Sequence, residues 1–434
     1  MKFRVERDAF AEAVAWTARA LPTRPPAPVL AGALLEIGED AGALSISGFD
    51  YEVSTRASVP VIAAAPGRAL VSGRLLADIA KSLPPHPVDI VVDGPRLAIT
   101  CGAAKFSLPT MPVEDYPRLP ELPAAAGAVP AAEFARAVAS VALAAGKDDT
   151  LPMLTGVRLE IDGDRMTLAA TDRYRLAVRE LAWIPADPAA EPVQVLVPAR
   201  TLADVARNLG GAEVTVSLGG ANGAGGEGII GFAARDRHTT TRLLDATFPP
   251  YRTLLPTDWS AVAEIDVPRF MDAVKRVALV ADRGTPVRLD FEECGVALSA
   301  GAEDEGRAEE QLEAGFEGDA ITTAFNPAFL IDGLNVIDSP GARLLFTTAT
   351  KPVVLRPIPA PARPADGAEA DAGAADVDPA DGGAAGPGAG EHRSDREHSG
   401  DREHSGDGPG GAEETGGAPL ADYTYLIMPV RLPG

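Results

Sequence analysis

The ten residues Arg74-Leu75-Leu76-Ala77-Asp78-Ile79-Ala80-Lys81-Ser82-Leu83 return as Arg200-Thr201-Leu202-Ala203-Asp204-Val205-Ala206-Arg207-Asn208-Leu209, with six positions unchanged. Leu76, Ile79, Ala80 and Leu83 lie three or four apart, as do Leu202, Val205, Ala206 and Leu209. That spacing gives a helix one apolar face. Arg74 and Lys81 are two turns apart on the other face, and Arg200 and Arg207 repeat the arrangement. A weaker third version, Ala328-Phe329-Leu330-Ile331-Asp332-Gly333-Leu334, follows 128 residues after the second. One unit therefore recurs along the chain.

Other segments recur in the same order. Phe10-Ala11-Glu12-Ala13-Val14 returns as Phe134-Ala135-Arg136-Ala137-Val138 and as Phe270-Met271-Asp272-Ala273-Val274. Between the helices, Leu35-Glu36-Ile37 and Leu44-Ser45-Ile46 match Leu159-Glu160-Ile161 and Met166-Thr167-Leu168. They also match Leu289-Asp290-Phe291 and Val296-Ala297-Leu298. Alternation broken by Gly or Asp turns reads as antiparallel hairpins. The first two copies end alike, on Asp115-Tyr116-Pro117-Arg118-Leu119-Pro120 and Pro250-Tyr251-Arg252-Thr253-Leu254-Leu255-Pro256. The expected fold is α+β, with three tandem domains at residues 1–121, 127–256 and 260–434. The third is interrupted by residues 361–418.

At 434 residues and 46% hydrophobic, the chain can fill several cores. Its formal charge of −23 argues at first sight against nucleic acid. Residues 361–418, however, hold fourteen Asp or Glu against four Arg, so −10 sits there and −13 elsewhere. That stretch carries the tandem Asp395-Arg396-Glu397-His398-Ser399-Gly400 and Asp401-Arg402-Glu403-His404-Ser405-Gly406. It cannot bury enough apolar area to offset its ordering entropy, so a disordered loop inside the third domain is expected. Structure resumes at Tyr423-Thr424-Tyr425-Leu426-Ile427-Met428, read as a strand completing the third sheet. His392, His398 and His404 leave a metal-binding tract open beside a solvated linker. Cys101 and Cys294 are too few for a disulfide framework or zinc site; both are expected to be buried in a reducing cytoplasm. The opening residues have neither a signal peptide's apolar run nor a membrane span, so a cytoplasmic protein is expected.

Reactive chemistry is absent from the motifs. Gly146-Lys147 lacks the upstream glycine and following Ser or Thr of a phosphate loop. The glycine-rich residues 219–226 read as a hairpin connection. His86 and His238 have no neighbouring ligand, and Asp148-Asp149 and Glu292-Glu293 read as solvated pairs. No metal, cofactor or catalytic residue is indicated, which suits a scaffold. Duplication alone leaves the scaffold's role open.

The ordered motifs resemble the bacterial DNA sliding clamp, the beta subunit of the replicative DNA polymerase. They are Met1-Lys2-Phe3 with Val5-Glu6-Arg7, Ala170-Thr171-Asp172 with Arg175-Leu176-Ala177, and Phe248-Pro249 with Tyr251-Arg252. The close, Tyr425-Leu426-Ile427-Met428-Pro429-Val430-Arg431-Leu432, is the most specific. The resemblance implies a head-to-tail homodimer, a ring of six units around duplex DNA. Arg24, Arg74, Lys81, Arg200 and Arg207 would then face the DNA. It also implies a cleft between domains two and three for linear peptides of the replicative polymerase, the clamp loader, and repair and translesion polymerases. The matching positions are Leu154, Thr171, Arg173, Tyr174, Arg175 and Leu176, then Pro249, Thr253 and Leu254, then Leu426, Met428, Pro429, Val430 and Arg431. Val430 replaces the commoner Met, and Arg173 and Thr253 fall at variable positions. The dimer seam would set Phe106 and Leu108 against Leu279 and Val280.

A paralogous clamp, or a peptide-binding hub that does not use DNA, is the alternative on the same scaffold. Because residues 361–418 adjoin the last strand at both ends, an acidic veil over the cleft is a further expectation. Their composition predicts that deleting them leaves the melting temperature unchanged in a thermal scan; a drop of several degrees would show that they support the core.

Overall fold

The computed structural model describes every residue except 40–41, 220–227, 282–283, 303–305, 359–422 and 432–434. The acidic stretch and the glycine-rich connection thus lie outside the described residues.

Each copy runs strand, helix, five strands, helix, three strands. The helices are α1 (Arg7–Ala18), α2 (Gly73–Ser82), α3 (Ala131–Ala142), the single turn α4 (Pro152–Thr155), α5 (Ala199–Asn208), α6 (Val267–Val277) and α7 (Pro327–Asn335). Phe10, Phe134 and Phe270, the repeated phenylalanines, are all fully buried on α1, α3 and α6. Each brings apolar residues three and four positions on, such as Ala13 and Val14 or Ala273 and Val274, onto its sheet. Asp266 and Asn326 cap α6 and α7 by accepting from the amides of Arg269 and Ala328.

The hairpins keep one register through the three copies: Leu35 faces Ile46, Leu159 faces Leu168 and Leu289 faces Leu298. The strands Glu213–Gly219 and Ile229–Ala234 pair as expected on either side of the glycine-rich stretch. Cys101 is buried, but Cys294 is exposed. It occupies the turn between Val287–Glu292 and Gly295–Ala302.

Sheets continue from copy to copy. At the first junction, Arg237–Arg242 pairs antiparallel with Val53–Pro60, from Arg237 facing Ala57 to Thr241 facing Val53. At the second, Tyr423–Ile427 pairs with Arg175–Ala182, from Arg175 facing Ile427 to Arg179 facing Tyr423. The closing strand therefore does more than complete its own sheet. In both cases the last strand of one copy joins the fourth strand of the copy before it. Two edges keep no such partner among the described residues: most of Ala104–Met111, the last strand of copy one, and Gly306–Leu312, the fourth strand of copy three.

The described chain leaves at Ile358 and returns at Tyr423, opposite Arg179, whereas the proposed cleft begins beyond Ile427. At about 3.4 Å per residue the two ends of this strand are roughly 15 Å apart. The acidic veil over the cleft rests on residues 361–418 and so lies outside the described residues.

Helix α7 approaches the closing strand so closely that a Cβ on Gly333 would lie 2.5 Å from the Tyr425 ring. Gly333→Val should displace that ring and cost about 1–3 kcal/mol, as overpacking does, read as a lowered midpoint in urea unfolding. An unchanged midpoint would show that α7 can shift freely.

Candidate functional site

The second junction begins at the turn Thr171-Asp172-Arg173-Tyr174-Arg175. Asp172 Oδ1 accepts from the amides of Tyr174 (3.1 Å) and Arg175 (3.0 Å), closing the turn through a short side chain. The Thr171 hydroxyl donates to the Arg175 carbonyl at 2.7 Å and accepts from the Arg173 amide at 3.2 Å. Arg173 is held at φ +79°, a left-handed conformation that non-glycine residues seldom adopt. The result presents Tyr174 outward, 57% exposed, with its ring stacked on Phe329 at 6.2 Å.

The next strand position points inward. Arg175 is 5% exposed. Its guanidinium contacts Asp172 (3.0 Å), Asp332 of α7 (2.6 Å) and the Tyr425 hydroxyl (3.5 Å), and lies 4.4 Å from the Phe329 ring centre. Burial opposes the charge, but Tyr425, Asp332 and Asp172 outweigh it and hold the guanidinium pKa above its ordinary value. Arg175 and Thr171 are thus the frame of this junction. Arg175 Nε and Nη1 and the Thr171 hydroxyl are held within the chain, so both residues also set the turn that presents Tyr174.

Apolar residues surround this frame. Leu176 and Leu426 belong to a buried cluster with Val178, Leu196, Phe248 and Tyr251. Above it, Tyr174, Leu254, Met428 and Val430 are exposed, although large and apolar. The Met428 amide donates to the Tyr174 carbonyl at 2.8 Å, continuing the strand pairing by one bond. Pro429 is half-buried, Arg431 is exposed, and Leu154 is buried on α4.

Leu254 and Thr253 sit on the single turn Tyr251–Leu254, which follows half-buried Pro249. A cluster that the motifs did not single out pins this turn. Glu160 receives Arg252 at 2.6 Å and the Tyr251 hydroxyl at 3.3 Å, and pairs with Arg158 at 2.6 Å. Burial raises the Glu160 pKa, but hydrogen bonding and charge from Arg252 and Arg158 bring it below the ordinary value. Burial pushes the Tyr251 hydroxyl up to about 12. A groove of 630 Å³ runs beside this cluster, over the outer sheet of copy two.

The basic helix faces are also exposed. Arg24, Arg74, Lys81, Arg200 and Arg207 all reach solvent, and among the described residues none forms an ion pair. Arg74 donates to the Leu21 carbonyl at 3.2 Å. In copy three, Arg276 of α6 is held by Glu310 at 2.5 and 3.0 Å, and Lys275 lies 4.0 Å from Asp272.

Leu279 is 83% exposed, while Phe106 and Val280 are half-buried. Leu108 is 2% exposed and packs in the core of its own chain. It therefore has no free area to give a second chain, which corrects its assignment to the seam. Among the described residues no group of three or more His, Cys, Asp or Glu could hold a metal ion, and no helix is long and apolar enough to cross a membrane.

Comparisons with known proteins agree with this arrangement. Family models for the N-terminal, central and C-terminal domains of the DNA polymerase III beta subunit match residues 1–120, 128–250 and 252–363. The chain is 57% identical over 367 residues to a beta sliding clamp of Streptomyces coelicolor, covering 84% of this chain and 96% of that protein. It is 48% identical over 313 residues to a beta sliding clamp of Micrococcus luteus, covering 72% and 98%. A solved Pseudomonas aeruginosa clamp bound to griselimycin superposes with a TM-score of 0.79 over 100% of both chains at 24% identity, a likeness of fold. Three domain models in sequence order, together with these identities, establish that the chain belongs to the DNA polymerase III beta subunit family, the beta sliding clamps.

Proposed function

We propose that two chains close head to tail into a ring around duplex DNA and act as a non-catalytic tether for the replicative polymerase and other replication and repair proteins. The observation that carries this reading is the repeated junction. Each internal junction joins the last strand of one copy to the fourth strand of the copy before it, and the two edges left over are the complementary pair. A second chain supplies both missing partners at once, giving two equivalent seams and six units. Phe106, Leu279 and Val280 flank these edges and would be covered on closure.

The unpaired cations on α2 and α5, with Arg24, supply the attraction to phosphate. Such contacts are blind to sequence and weaken with salt. A mobile tether needs residence by enclosure, and an acidic body with a sparse basic lining does not hold the DNA in one place.

Linear peptides of the polymerase, the clamp loader, and repair and translesion polymerases would dock at the second junction. Tyr174, Leu254, Met428 and Val430 would cover apolar anchors above the Leu176 and Leu426 floor, with Thr253, Pro249 and Arg431 at the rim. Leu154 would back the site from α4. Buried apolar anchors supply most of the affinity in such contacts.

Loaded rings should stay on a closed DNA circle and leave within minutes once it is cut, measured by gel filtration of the loaded circles. Equal loss from both would refute enclosure. Tyr174→Ala and Met428→Ala should each weaken a fluorescent polymerase-tail peptide by about tenfold or more, the scale of an interface hot spot, without changing the ring. Leu279→Asp should shift the dimer to monomer in sedimentation at micromolar concentration; an unaltered dimer would place the seam elsewhere.

A further inference from the structure

The first junction repeats the backbone of the second. Asp50 Oδ1 accepts from the amides of Glu52 (3.0 Å) and Val53 (2.6 Å), as Asp172 does from those of Tyr174 and Arg175. Tyr51 holds φ +77°, matching +79° at Arg173. The Arg242 amide donates to the Glu52 carbonyl at 3.1 Å, where the Met428 amide donates to that of Tyr174 at 2.8 Å. Two non-glycine residues in the same rare conformation mark a frame imposed by the fold.

The side chains on this frame differ. Thr240 faces Ser54 across the strands where Leu426 faces Leu176 at the second junction, so hydroxyls replace an apolar floor. Arg118 stands where Thr253 does after the equivalent tyrosine. A cavity of 160 Å³ opens here, with Phe49, Tyr51, Glu52, Arg118, Thr240 and Arg242 in its lining. Phe49 and Tyr51 meet edge to face at 5.6 Å and form its apolar wall. Thr240 is 1% exposed, and among the described residues its Oγ1 has no hydrogen-bond partner. Buried hydroxyls are ordinarily paired, so this one marks a place for an acceptor. Arg118 is exposed and forms no ion pair among the described residues.

We propose that this cavity is a second peptide-docking site, which seats an acidic side chain on an extended peptide of a partner protein. Its volume suits one side chain. A carboxylate that enters it gives the Thr240 hydroxyl the acceptor it lacks and pairs with Arg118, while the stem rests against the Phe49–Tyr51 wall. The site shares its frame with the apolar cleft of the second junction but selects the opposite chemistry.

The test is anisotropy of fluorescein-labelled hexaglutamate on the intact dimer at low salt, with hexaglutamine as the neutral probe. Hexaglutamate should bind and hexaglutamine should not. Arg118→Glu should weaken binding by about tenfold or more, Thr240→Val should weaken it several-fold, and Thr240→Ser should preserve it. All three should keep the melting temperature and the affinity for an apolar-anchored peptide at the second junction. That control lets the two peptide sites fail separately. Equal binding of hexaglutamine, or full binding by Arg118→Glu, would overturn the proposal. Displacement by inorganic phosphate at a lower concentration than by unlabelled hexaglutamate would also overturn it, in favour of a phosphate ion. Tighter binding after removal of residues 361–418 would make the chain's own acidic stretch the occupant and refute assignment to a partner.

Discussion

An unpaired strand edge presents a row of backbone donors and acceptors, and a folded chain must pair it, cover it or leave it in water. This fold resolves the matter by passing each edge to the next copy. Arg237–Arg242 completes the sheet begun by Val53–Pro60, and Tyr423–Ile427 completes that begun by Arg175–Ala182. The same pairing rule thus serves at both internal junctions. A chain of three copies necessarily ends with two open edges of complementary kind. The proposed ring would use at its seams the same backbone constraint that orders the single chain.

Side chains reinforce each junction differently. At the first, Arg237 pairs with Glu12 at 2.6 Å and lies 5.8 Å from the Trp16 ring centre, tying the second copy to α1. At the second, Arg175 joins the Asp172 turn to α7 and to the closing strand. A buried cation stripped of its partners costs about 3–5 kcal/mol, so this junction resists sliding or rotation. The fixed turn is also the one that presents Tyr174. Stability at the junction and shape at the cleft thus have a common source.

Local pattern carried most of the fold. The phenylalanines at 10, 134 and 270 and the hairpins at Leu35, Leu159 and Leu289 were legible because helix and strand periods act over a few residues. The site was only partly legible. Tyr174 and Arg175 are adjacent in a motif, yet alternate strand positions face opposite ways, one to solvent and one to Asp332 and Tyr425 far along the chain. Leu108 shares a face with Phe106, but its depth is set by neighbouring strands that sequence spacing does not reveal. Cys294 looked like a core residue by type; only its position in a turn exposes it.

Electrostatics divides the work among the copies. Arg74, Lys81, Arg200 and Arg207 stand unpaired on the second helices of copies one and two. In copy three the comparable charge of Arg276 is spent on Glu310, within the open strand Gly306–Leu312, where Arg307 and Glu309 also pair at 3.3 Å. Charge on an open edge discourages pairing with unrelated strands. A guanidinium held bidentate by a carboxylate has little left for phosphate. In the proposed ring, copy three would give up attraction to DNA to protect the edge at which the ring would close. The proposed basic lining would then come from the other two copies, whose fourth strands are already paired and need no such protection.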